Sequence, residues 1–163
     1  MKTLLYSNLI RRKVILPMDK SRAKLVEIIV SQRKKFWCVR DVLVETGLID
    51  HQGTYYNPSL LKDIPSKGPI SIDKSGVDGS RKSPLGDIFL SRLKDAKVIG
   101  PNDEEIGRIY DYELYIEQEP WIVWKILVRP AGLSPTKRRL RIPTKEIEKV
   151  SKTEVVLKEG WKE

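Results

Sequence analysis

Three kinds of residue in this 163-residue chain are equipped for chemistry: a run of acids, a lone histidine and cysteine, and knots of lysine and arginine. Asp103, Glu104 and Glu105 stand together ahead of Ile106-Gly107-Arg108. Neighbouring carboxylates hold a hard cation only when further oxygens converge on them, and the sequence offers no such set. Gly100-Pro101-Asn102-Asp103 has turn chemistry, so the acids are expected at a solvated hairpin tip. His51 lies in GLIDHQGTYY, which reads as a solvated loop. A catalytic histidine needs a nucleophile or an orienting acid in reach, and Asp50, its neighbour in sequence, points elsewhere. Cys38 is a conceivable dyad partner, but it sits among Phe36, Trp37 and Val39, where a buried, inert thiol is expected. A single cysteine excludes an internal disulfide framework and a multi-cysteine zinc site. No nucleophile elbow, phosphate-cradling loop or dinucleotide fingerprint is present. The reading is therefore a non-enzymatic binding protein with no catalytic residues, metal or cofactor.

The basic residues carry more information. The formal net charge is +9, unevenly spread. Residues 1–84 hold 16 Lys and Arg against 8 Asp and Glu, whereas residues 85–163 hold 15 against 14. Such asymmetry points to an anionic partner for the first half. The clusters are Arg11-Arg12-Lys13, Arg33-Lys34-Lys35, and Lys137-Arg138-Arg139 with Arg141; Arg81-Lys82 adds a smaller one. Each of the three large clusters enters or leaves a predicted strand, where side chains are free to reach phosphates.

The elements that must position these residues occur twice. At a shift of 84 residues, Ser7–Asp19 lies over Ser91–Asp103, and Phe36–Val44 lies over Pro120–Val128. Ser7, Leu9, Lys13, Val14, Ile15, Pro17, Asp19, Trp37, Val39, Leu43 and Val44 are identical in the two copies. After a one-residue slip, Ser66–Ile72 lies over Ser151–Leu157. An internal duplication follows, with domains at 1–73 and 88–163 and a Gly-, Ser- and Pro-rich linker at 74–87. Each copy reads as all-β. In the second, strands are expected over Ala96–Ile99, Ile106–Ile116, Trp121–Arg129, Arg139–Pro143 and Glu154–Leu157, with Thr144 capping a short helical turn over Lys145–Val150. Alternation along Trp121–Arg129 puts Ile122, Trp124, Ile126 and Val128 on one apolar face, which places Trp124 inside a barrel. Gly107 within a strand marks sharp coiling, a bulge or close backbone approach.

Lys97-Val98-Ile99, Asp103, Ile106-Gly107-Arg108-Ile109 with Asp111, Arg141-Ile142-Pro143, Ile147 and Val155-Val156-Leu157 resemble the signature of the PRC-barrel family. The resemblance covers residues 90–158. The first copy departs from it, with Ala23 at the Gly107 position and Asn57-Pro58 in place of Ile142-Pro143. The resemblance implies two tandem small β-barrels, each with a short helical turn near its C-terminal end. It also implies a docking role, on ribosomal RNA or a ribonucleoprotein as in ribosome maturation factors, or on proteins at a membrane or in cell division.

From the residues, basic turns would grip phosphate while Tyr55, Tyr56 or Tyr110 stacks on bases. The alternative is a protein–protein adaptor using Trp124 and Trp161. No apolar run approaches the ~20 residues of a membrane span. The opening MKTLLYSNLIRRK lacks a small-residue cleavage site, so a cytoplasmic protein is expected, and the high charged fraction leans toward a thermophile.

Overall fold

The longest runs of β-branched and aromatic residues are strands, and their pairing repeats with the register read from the sequence. The computed structural model describes residues 2–16, 22–33, 35–47, 52–61, 64–72, 88–132 and 138–162. The first repeat contains β1 (Thr3–Leu5), a one-turn helix α1 (Tyr6–Leu9), β2 (Lys13–Ile15), β3 (Ala23–Gln32), β4 (Trp37–Thr46), β5 (Gln52–Tyr56), a 3-10 turn at Pro58–Leu60 and β6 (Ile70–Ser71). The second contains β7 (Ile88–Phe89), a 3-10 turn at Leu90–Leu93, β8 (Lys97–Ile99), β9 (Glu105–Tyr115), β10 (Ile122–Pro130), β11 (Leu140–Pro143), a 3-10 turn at Thr144–Glu146, β12 (Ile147–Val150) and β13 (Glu154–Leu157). In each repeat the two long strands form a hairpin and the short opening strand pairs with the closing one in parallel, Val14 beside Ile70 and Val98 beside Val155.

The fold is all-β. All thirteen strands join one curled sheet, because β4 and β10 pair across the centre, Trp37 opposite Val123 and Cys38 opposite Ile122. The opening strands also cross over. β1 pairs with β9 of the other repeat, Leu4 opposite Leu114, and β7 pairs with β3, Ile88 opposite Val30. These contacts are related by the same 84-residue shift, so the halves embrace each other about a pseudo-twofold axis.

Matched bulges shape both hairpins. Val26 on β3 and Arg40 on β4 are extra residues in the first, and Tyr110 on β9 and Trp124 on β10 take the same places in the second. An extra residue reverses which side chains face inward beyond it. Trp121 and Val123 are therefore buried before the bulge, and Ile126 and Val128 after it, while Trp124 is only half-buried. The expectation of Trp124 inside the barrel is corrected on this ground. The helical turn is likewise shorter than expected: it spans Thr144–Glu146, and Ile147–Val150 is a strand. Thr144 does not cap it. Its buried hydroxyl donates to the Val123 carbonyl at 2.6 Å and accepts the Trp37 N–H at 3.2 Å, tying the two repeats together.

Two of the readings of Gly107 hold: Ile106 beside it is an extra residue in the β8–β9 pairing, and a neighbouring backbone approaches the glycine closely. A methyl group there would lie inside van der Waals contact of the Arg129 carbonyl oxygen and 2.7 Å from Val128 Cγ1. Gly107→Ala is expected to destabilise the protein by about 1–3 kcal/mol through overpacking, read as a lowered midpoint in thermal or urea unfolding.

The crossover makes a second prediction. Residues 84–163 expressed alone lack β1, so β9 loses the neighbour it has in the full chain. The fragment is expected to sediment as a dimer, in which β7 of each copy takes the place of β1. A stable monomer would contradict the exchanged arrangement.

Candidate nucleic-acid interface

Two buried carboxylates organise the seam on which the surface is built. Glu27 and Asp111 occupy equivalent positions just past the bulges of β3 and β9, and both are buried. Asp111 accepts the Ser7 N–H at 3.1 Å and the Ser7 hydroxyl at 2.5 Å, across the repeat boundary. Glu27 accepts the Ser91 N–H at 3.1 Å and the Ser91 hydroxyl. Each acid also takes the N–H of the residue after it, Ile28 or Tyr112. A buried carboxylate is tolerable when its lone pairs are filled in this way. These groups therefore hold the seam together and leave no acceptor poised for a ligand.

The tyrosines beside them are locked in the neutral form. Tyr6 and Tyr112 meet edge to face, with ring centroids 5.3 Å apart. The Tyr112 hydroxyl donates to the Leu90 carbonyl at 2.6 Å, and Tyr6 bonds to Glu27. Burial raises both phenols above their usual range, first by desolvation and then by nearby negative charge: Glu27 for Tyr6, and the Tyr6 and Glu27 oxygens for Tyr112. A group with a raised folded pKa contributes stability that is intact below its unfolded value, near 10, and lost as pH rises above it. Stability is expected to fall steeply above pH 10, with these two phenolates appearing in ultraviolet absorbance only as the fold opens.

The predicted basic residues divide into those already engaged and those facing solvent. The Arg12 guanidinium donates to the carbonyls of Pro65 (2.6 Å) and Ser66 (2.9 Å). Arg141 pairs with Glu113, through Nη2 at 2.5 Å and Nε at 3.2 Å. Arg139 stacks over the half-buried Tyr110, 4.9 Å from the ring centre. Arg11, Lys13, Arg33, Lys35 and Arg138 are exposed. Lys34, Arg81, Lys82 and Lys137 lie outside the described residues, as do His51 and its neighbour Asp50. The clusters do not merge. Arg11–Lys13 flanks the start of β3 and Arg33–Lys35 its end, roughly 25 Å of strand apart.

The second cluster has the most developed surroundings. Past the Trp37–Val123 rung, the β3–β4 turn runs alongside β10. Phe36 meets Trp124 there with centroids 6.4 Å apart, and Tyr115 closes on the other side of Trp124 at 6.1 Å. The Lys125 ammonium lies 5.7 Å from the Trp124 ring. The turn is anchored by Gln32, whose amide donates to the Ile147 and Glu148 carbonyls. Three half-buried aromatics thus stand beside Arg33 and Lys35. Sequence reasoning missed this cluster because its members come from two strands and a turn and because a bulge sets the direction of Trp124.

Other expectations are corrected here. Cys38 is half-buried, since it sits at the central rung on the side away from the core. Tyr56 is buried at 8% exposure and cannot stack on a ligand; Tyr55 is half-buried. Trp161 is half-buried and packs on the core. The acids, by contrast, are placed as expected: Asp103 and Glu104 in the β8–β9 turn and Glu105 at the start of β9 are exposed, and Glu104 accepts the Asn102 N–H at 2.8 Å.

Comparison with known proteins returns no matching family model and no matching curated protein. Among the described residues, no helix is long and apolar enough to cross a membrane. Trp124→Ala is expected to remove a large share of any nucleic-acid affinity of this face, about 1–3 kcal/mol, measurable by fluorescence titration with single-stranded RNA.

Proposed function

We propose that the chain is a tandem pair of PRC-barrel-like modules, fused through exchanged opening strands, that docks without catalysis on ribosomal RNA or a ribonucleoprotein in the cytoplasm. The observation that carries this reading is the seam surface: Phe36, Trp124 and Tyr115 cluster with Lys125, and the turn that leads into Phe36 carries the exposed Arg33 and Lys35. Aromatic faces stack on any base, and neighbouring cations neutralise the backbone that joins the bases. The two turns at the seam differ in sign, Arg33-Lys34-Lys35 in one repeat and Glu117-Gln118-Glu119 in the other. Of these two turns, only the first attracts a polyanion. A protein-only adaptor has no need of that polarity, although the same surface suits an acidic protein partner.

Cosedimentation of the purified protein with ribosomal subunits tests the reading. Retention is expected at low salt and is expected to disappear with nuclease or high salt. If about four phosphates are neutralised, log K against log salt falls with a slope of roughly −3. Arg33→Glu with Lys35→Glu is expected to abolish retention while leaving the thermal midpoint unchanged. Retention on protein partners that survives nuclease would favour the adaptor instead.

A further inference from the structure

The two repeats differ sharply at one equivalent position, and the difference opens a groove. In the first repeat Arg12 reaches across to the Pro65 and Ser66 carbonyls, and Lys2 reaches the Ile64 carbonyl at 3.1 Å. Together they fill the space between the strand entry and the loop before β6. The residue at the Arg12 position in the second repeat is Ala96, and the backbone around it is the same. Ile109 N–H donates to Ala96 as Leu25 N–H donates to Arg12, and Asp95 takes the left-handed conformation of Arg11, both with φ of 67°. With a methyl group in place of a guanidinium, the second repeat has a cleft of about 360 Å³ lined by Ala96, and an adjoining cleft of about 580 Å³ shares Arg92 and Lys152 with it.

The clefts differ in character. The larger is apolar on one side, where Ile88, Phe89, Leu93 and Val150 line it. The Arg92 guanidinium lies over the Phe89 ring at 4.2 Å, so a flat cation–aromatic stack forms part of the wall. The smaller is basic. Arg92, Lys94, Lys97, Arg108 and Lys152 surround it, against the carboxylates of Asp95 and Glu154. Arg108 is held in place by a bond to the Asp95 carbonyl at 3.0 Å. That carbonyl is turned toward Arg108 at the same residue whose left-handed backbone marks the strand entry. A flat apolar slot beside a cationic bowl matches a nucleotide: a base against the Arg92–Phe89 stack and its phosphate among Lys94, Lys97 and Lys152.

We infer that the Ala96 groove of the second repeat is a nucleotide-binding site that takes one unpaired base and its adjoining phosphate from a single-stranded RNA. The inference rests on the RNA reading above and deepens it by adding a second contact point, on residues other than the Phe36–Trp124–Tyr115 cluster. The half of the chain that is nearly neutral in total thus contributes its own anion site, because five of its cations line this cleft against two carboxylates.

Fluorescence anisotropy with fluorescein-labelled octauridylate RNA tests it. Three variants are compared with the unchanged protein: Lys94→Glu with Lys152→Glu, Ala96→Met, and Arg33→Glu with Lys35→Glu. The first is expected to weaken binding at least tenfold and to make the salt slope shallower by about 1.4, the share of two phosphate contacts on a single strand. Ala96→Met changes no charge, and the first repeat shows that this backbone accepts a long side chain. It is expected to weaken binding about fivefold by refilling the groove, with far-ultraviolet circular dichroism unchanged. If the unchanged protein binds the octamer and both groove variants bind equally well, the groove inference is overturned while the seam reading stands. If the unchanged protein does not bind the octamer at all, both are overturned.

Discussion

The fold depends on two buried carboxylates that each repeat satisfies only in part from its own residues. Glu27 and Asp111 sit past strand bulges, out of water, where an unfilled acceptor is destabilising by several kcal/mol. Ser91 supplies donors to the first and Ser7 to the second, each from the segment that opens the other repeat. The opening strands must therefore cross, and β1 and β7 add backbone pairing in the same places. Thr144 extends this dependence by joining Trp37 to Val123 near the central rung. The chain is thus a covalently linked pseudo-dimer, in which each half completes the other.

That arrangement frees the outer surfaces to diverge. The bulge positions are common to both hairpins, but their occupants are not: Val26 against Tyr110, and Arg40 against Trp124. A bulge holds its side chain at the sheet surface whatever the residue, so one backbone device presents an aliphatic group and a cation in one repeat and two aromatics in the other. Arg12 and Ala96 show the same principle at the strand entry, where identical backbone geometry closes a space in one copy and opens it in the other.

Much of the scaffold was legible from residue order. Lys13-Val14-Ile15 and Lys97-Val98-Ile99 are the short strands expected of them, and Gly107 lies where a neighbouring backbone leaves no room for a methyl group. The candidate site was far less legible. Arg12 and Arg141 are part of basic clusters in sequence, yet their guanidinium groups are committed to Pro65, Ser66 and Glu113. Lys94, Lys97, Arg108 and Lys152 are scattered singly along the chain, and nothing in the sequence groups them, because adjacency in sequence is a poor guide to adjacency in a sheet. The buried acids left one trace: Glu27 and Asp111 fall in register, opposite the invariant Ser7 and Ser91.

The sequence alone determined the all-β class, the repeat and the positions of the long strands, since these follow from side-chain alternation and turn chemistry, which act over a few neighbouring residues. The tertiary structure decided which half each opening strand joins, which way Trp124 points and which cations converge. Those outcomes depend on bulges and on pairings between residues up to a hundred positions apart. No local pattern encodes such a pairing; it is settled by which arrangement brings Ser91 to Glu27 and Ser7 to Asp111, so that both buried carboxylates are filled.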